Sequence, residues 1–170
     1  MYNNNCNRCF GKDVRLQLYD GSEKCAGEIS LGDRLSGVDN QVLTVEDVYT
    51  GHETFLYQIS MQNGRSIHVT GQHPMKSGNQ SVFACNLKVG DELSLADGSS
   101  DVVIAVEYIP YDDIVYNFTF LDSDEGVYLI ANDFYAGDLR MQNQSPPLPE
   151  RVLTTEEQQR LEELNRRRHV

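Results

Sequence analysis

The sequence predicts an all-β domain built by duplication, and three observations carry that expectation. Through the first 138 residues, apolar and polar side chains alternate over short runs, the period of a strand with one face buried. Turn pairs such as Asp20-Gly21, Asn63-Gly64 and Asp97-Gly98 separate the runs. Residues 26–39 then recur as residues 84–97, an offset of 58 positions. The first copy carries Ala26, Ile29, Leu31-Gly32-Asp33, Leu35-Ser36 and Asp39; the second carries Ala84, Leu87, Val89-Gly90-Asp91, Leu93-Ser94 and Asp97. The echo continues in Tyr57-Gln58-Ile59-Ser60-Met61 and Tyr116-Asn117-Phe118-Thr119-Phe120. Two units of roughly 55–60 residues, each too small to bury a core alone, are expected to close on one another with pseudo-two-fold symmetry.

In chain order, residues 14–18 alternate and stop at Asp20-Gly21. Within each repeat, alternating apolar residues lead to a Gly-Asp turn, and a second short strand follows. Residues 42–48 form another strand, and residues 55–61 and 66–70 flank Gln62-Asn63-Gly64 as a hairpin. Residues 102–109 make a longer strand that Pro110 stops. Residues 118–120 and 127–131 surround an acidic turn. Residues 139–153 read as a polar, Pro-rich, extended linker. Thr154-Thr155-Glu156-Glu157 then sets a capping-box pattern for a terminal helix over residues 154–170. Its apolar content is thin (Leu161 and Leu164), so it reads as a solvated surface helix.

Composition excludes several function classes. The chain has 170 residues, 39% of them hydrophobic, enough for a packed core of one domain with a short appendage. Its 26 acidic residues outnumber 14 basic ones, for a net charge of −12. Such a surface repels phosphate backbones, so nucleic acid is not expected as a partner. No apolar run is long enough to span a bilayer and the first residues lack a secretory pattern, so no membrane partner and a cytoplasmic location are expected. A monomer is expected.

The four cysteines, Cys6, Cys9, Cys25 and Cys85, are few for a disulfide framework. Cys6 and Cys9 form a Cys-x-x-Cys pair, which could close a disulfide that blocks Cys9 under oxidising conditions. A metal site would need further ligands, such as His68 or His73. Cys25 and Cys85, each beside an Ala of the repeat, read as structural.

Four features stand in order along residues 9–138: Cys9-Phe10-Gly11 with the Ile29-Ser30-Leu31-Gly32-Asp33 segment; Thr70-Gly71-Gln72-His73-Pro74; the repeat from Ala84 to Asp91; and Val115-Tyr116-Asn117-Phe118 followed by Ala131-Asn132. In this order and spacing they resemble the Hint domain, the module shared by inteins and hedgehog-type autoprocessing proteins. The resemblance implies a horseshoe of short strands in residues 9–138, with residues 1–8 as a flanking segment. It also implies that Cys9 attacks the carbonyl of Arg8 and turns the Arg8–Cys9 amide into a thioester. His73 would give a proton to the Cys9 nitrogen, and Thr70 would hold the scissile peptide or its oxyanion. Water, a thiol, an amine or an alcohol would then release the N-terminal flanking polypeptide, without any cofactor or metal.

The second half departs from the family pattern. Inteins usually end in His-Asn followed by Cys, Ser or Thr; here Gly137 and Asp138 fall at those two positions and Leu139 follows. Asn117 stands where an Asp is common, and Val127 where a His is common. Leu139 offers no nucleophile, so splicing is not expected and N-terminal cleavage is what remains. Two alternatives stay open: an inactive Hint relic that binds a partner, and a small metal-binding β protein using Cys6, Cys9 and a histidine.

Overall fold

A computed structural model describes residues 9–121, 123, 125–144, 155, 156, 159 and 160. Two six-stranded sheets face each other. In chain order the first half supplies β1 (Phe10–Gly11), β2 (Arg15–Gln17), β3 (Glu23–Cys25), β4 (Arg34–Ser36), β5 (Val42–Met61) and β6 (Ser66–Val69). The second supplies β7 (Pro74–Ser77), β8 (Gln80–Phe83), β9 (Glu92–Ser94), β10 (Ser100–Phe120), β11 (Tyr128–Ala131) and β12 (Phe134–Gly137), and α1 (Leu139–Gln144) follows. One sheet runs β4-β5-β6-β1-β10-β9, with β5 also pairing β10; the other runs β3-β2-β11-β12-β7-β8.

The duplication is present bond for bond. In the first copy Gly32 donates to Val45 O at 3.0 Å and Val45 N to Asp33 O at 2.9 Å; in the second Gly90 donates to Val103 O and Val103 N to Asp91 O, both at 2.8 Å. The Asp33 and Asp91 carboxylates accept from Ser30 N and Lys88 N, each at 2.9 Å, closing the same turn. The apolar alternation that opens each copy is not a strand. Ala26–Glu28 and Ala84–Asn86 are single 3-10 turns, which bury Ala26 and Ala84 while the chain turns onto the other sheet.

Two strand boundaries differ from the sequence reading. Residues 42–48 and 55–61 belong to one 20-residue strand, and Pro110 does not stop β10, which runs for 21 residues. The cause is tertiary: β5 and β10 pair antiparallel from Val45↔Phe120 to Met61↔Val103, carrying polar stretches that would not hold an extended shape alone. Proline lacks a ladder donor, and the pairing shifts register between Pro110 and Asp113, where Asp112 takes φ 54°.

The core lies between the sheets, filled by Phe10, Phe118, Phe120 and Phe134 with Leu16, Leu35, Leu43, Ile59 and Ile67. Fully burying one such side chain stabilises by about 1.5–3 kcal/mol, so the fold rests on this layer. The expected linker starts as α1, and the terminal helix falls mostly outside the described residues. Among the described residues no helix is long and apolar enough to cross a membrane.

Candidate active site

Cys9 is fully buried and sits just ahead of β1, the short strand that bridges β6 and β10. Phe10 pairs with Val69 on one side and Tyr116 on the other, so the same register places Cys9 between Thr70 and Asn117. Facing residues on adjacent strands bring their Cβ atoms within about 4.5–5.5 Å. The two strands therefore deliver Thr70 and Asn117 to Cys9 from opposite sides.

Thr70 holds Cys9 by three bonds. Its backbone N–H donates to Cys9 O at 3.0 Å. Its hydroxyl donates to the same carbonyl at 3.3 Å and accepts the Cys9 N–H at 2.6 Å. That N–H belongs to the peptide bond between Arg8 and Cys9.

His73 is fully buried, with its ring 4.2 Å from that of Phe10, the residue after Cys9. The loop carrying Thr70 and His73 closes on itself through His73 N to Thr70 O at 3.2 Å. The second repeat pins it from outside: Cys85 N donates to Gly71 O at 2.7 Å and Ala84 N to His73 O at 3.0 Å. Only glycine fits at position 71, because a Cβ there would lie 2.9 Å from the Tyr57 ring. Two other histidines stand elsewhere, His68 against Gln58 at 3.0 Å and His52 against Asp112 at 3.1 Å.

Asn117 is fully buried, and its Oδ1 accepts Phe118 N at 2.8 Å. Asp138 arrives from the other sheet. Ala136 pairs with Met75, which sets Gly137 beside Pro74 and Asp138 beside His73. Asp138 is fully buried, and its Oδ1 accepts Val127 N at 3.2 Å and Met141 N at 3.0 Å. Burial raises its carboxyl pKa above its ordinary value, against these backbone bonds, which favour ionisation. Cys9, Thr70, His73, Asn117 and Asp138 are thus brought to one end of the core. Arg8 and Cys6 lie outside the described residues.

Cys9 is disulfide-bonded, whereas Cys25 and Cys85 are in no disulfide. Its side chain packs with Leu56 and Val115, flanked by Ile109 and Tyr111. Burial and neighbouring Glu28 raise the Cys25 thiol pKa. Among the described residues, no three His, Cys, Asp or Glu side chains converge to hold a metal.

Sequence reasoning missed two residues. Thr119 is buried, and its hydroxyl has no hydrogen-bond partner among the described residues. It stands two positions after Asn117, hence on the same face of β10, and the alternation Asn117-Phe118-Thr119-Phe120 was the available signal. Glu53 on β5 has one buried carboxyl oxygen with no hydrogen-bond partner among the described residues, and burial raises its pKa to about 7. Nothing local in the sequence marks it.

No family model matches the chain, and no curated protein matches it. Solved structures do. The gp41-1 intein aligns at 17% identity with a TM-score of 0.62, over 75% of this chain and 96% of its own. A DnaB intein from Synechocystis sp. PCC 6803 aligns at 15% identity and TM-score 0.67, over 76% and 97%. The bacterial intein-like domain from Clostridium thermocellum aligns at 22% and 0.65, over 77% and 98%. The chain has the all-β Hint fold of the inteins.

Proposed function

We propose that this chain is a single-turnover self-processing domain that cleaves its own Arg8–Cys9 bond through a thioester. The observation that carries the reading is the hold of Thr70 on the Cys9 N–H at 2.6 Å, a grip on the nitrogen that must leave. A peptide bond is a poor acyl donor because resonance stabilises it. Orientation compensates: well-placed intramolecular groups reach effective molarities of roughly 10⁵–10⁸ M.

The first step is reduction. The spacing of the Cys-x-x-Cys pair makes Cys6 the redox partner we propose for Cys9, and a dithiol reductant then supplies the Cys9 thiol. The Cys9 sulfur then attacks the Arg8 carbonyl carbon. A C–S bond forms, the C–N bond breaks, and His73 delivers to the Cys9 nitrogen the proton that balances the one lost from the thiol. Thr70 holds that nitrogen in line. Water, a thiol, an amine or an alcohol attacks the thioester, releases residues 1–8 as acid or adduct, and restores the Cys9 thiol. Leu139 cannot accept the acyl group, so ligation does not follow.

Intact-mass spectrometry of the full chain, with and without dithiothreitol and hydroxylamine, tests this. Loss of residues 1–8 should require reductant, accelerate with hydroxylamine and vanish in Cys9→Ala. In His73→Ala it should slow by about 10²–10⁴-fold, the usual worth of a general acid. An unchanged mass after prolonged reducing incubation would overturn the reading. A specific observation favours the second reading, an inert Hint relic serving as a binding module: Asp138 is committed to capping a helix. That reading predicts an intact chain indifferent to both substitutions.

A further inference from the structure

We propose that Gly137, Asp138, Arg140 and Met141 form a clamp that anchors the downstream chain to the domain and makes the 138–139 bond a fixed junction. Processing is thereby confined to the Cys9 side, a consequence that rests on the function proposed above.

Three independent contacts build the clamp. Asp138 is the N-cap of α1: its Oδ1 accepts Met141 N, the N–H of the third helical residue, at 3.0 Å. The same oxygen accepts Val127 N at 3.2 Å, so the carboxyl is turned forward onto the helix and across to the chain before β11. Arg140 ties the helix to two long strands. Its Nη1 donates to Phe120 O at 2.7 Å and to Ser123 O, and its Nη2 reaches Glu46 Oε2 at 2.5 Å. Met141 fills a slot that only glycines leave open. A Cβ on Gly126, at φ +83°, would lie 2.4 Å from Met141 N, and one on Gly137 would lie 2.7 Å from Met141 Sδ and 3.1 Å from Pro74 Cβ.

The slot also explains Gly137. A histidine there would press its Cβ on Met141 Sδ and Pro74, so the imidazole that the intein pattern expects would force the Met141 side chain out of its present seat. Asparagine at position 138 would serve equally well as a cap, so restoring the amide alone leaves the side chain engaged with α1.

The test is limited trypsin digestion of the full chain, following the cut after Arg140 by mass. Wild type should be cut there at least tenfold more slowly than a synthetic peptide of residues 136–146. The double variant Glu46→Ala/Met141→Ala, which leaves the Arg140 site intact, should lose that protection. Cutting of wild type at the peptide rate would overturn the proposal, as would unchanged protection in the double variant. In the same chain Asp138→Asn should stay whole between residues 138 and 139, and cleavage there would overturn the fixed junction. Loss of residues 1–8 is a separate mass, so failure of the Cys9 reading is distinguishable from failure of the clamp.

Discussion

Thr70 does two jobs with one hydroxyl, and valine, its isostere, separates them from shape. Thr70→Val keeps the β-branched packing but leaves the buried Cys9 N–H without its acceptor. An unsatisfied buried donor costs about 1–3 kcal/mol, so urea unfolding should show a loss in that range, and Thr70→Ser should recover most of it. Processing should slow in the valine variant beyond what the stability loss explains. Equal processing rates in folded wild type and variant would remove Thr70 from the reaction. Glu53 poses the opposite case, a polar group whose environment opposes its charge. Burial raises its pKa to about 7 from an ordinary value of 4.5. The folded state therefore favours the neutral acid. The stability this contributes is complete below pH 4.5 and is lost as pH rises through 7. Glu53→Gln should accordingly melt higher than wild type at pH 8 and equal to it near pH 4.5. A pH-independent difference in melting temperature would refute the assignment.

Elements show where local sequence stops being informative. The repeat was legible because it recurs in residue type, and the structure repeats it in hydrogen bonds, from Gly32 with Val45 to Gly90 with Val103. The convergence of Cys9, Thr70, His73, Asn117 and Asp138 was legible only through the family resemblance, since each residue alone has a bland reading. The full lengths of β5 and β10 were not legible. Their middle stretches are polar and include Pro110, so periodicity breaks there, yet each strand supplies the ladder partner the other needs. Thr119 was hidden by its neighbours Phe118 and Phe120, which read as plain core. The docking of α1 escaped for a related reason. Met141 and Arg140 look like the polar start of a linker, and only two glycines distant in sequence or conformation, Gly126 and Gly137, reveal the slot that receives Met141. Contacts built by absence of a side chain leave little trace in a hydrophobic pattern.

At the scale of the whole molecule, the two repeats are related by sequence but are not two units of stability. Each long strand spends most of its length on the other half: β5 pairs with β10 from one end to the other, and β1 inserts between β6 and β10. The candidate site inherits this exchange. Cys9 and Thr70 come from the first half, Asn117 and Asp138 from the second, and the His73 loop is pinned by Cys85 and Ala84. Neither repeat retains a closed sheet when the other is removed, and a unit of roughly 55–60 residues buries too little apolar surface to stand alone. The chain should therefore unfold in a single two-state transition. Calorimetry of the reduced protein should give equal calorimetric and van't Hoff enthalpies. Residues 9–70 and 71–138, produced separately, should each lack the dispersed amide signals of a folded domain. Pairing between residues so distant in the chain also implies slow folding, in the millisecond-to-second range of non-local β topologies. Two resolved transitions, or one fragment folding alone, would show that the halves are autonomous. The site would then be an interface between them, and reduction, cleavage and clamp could be uncoupled half by half.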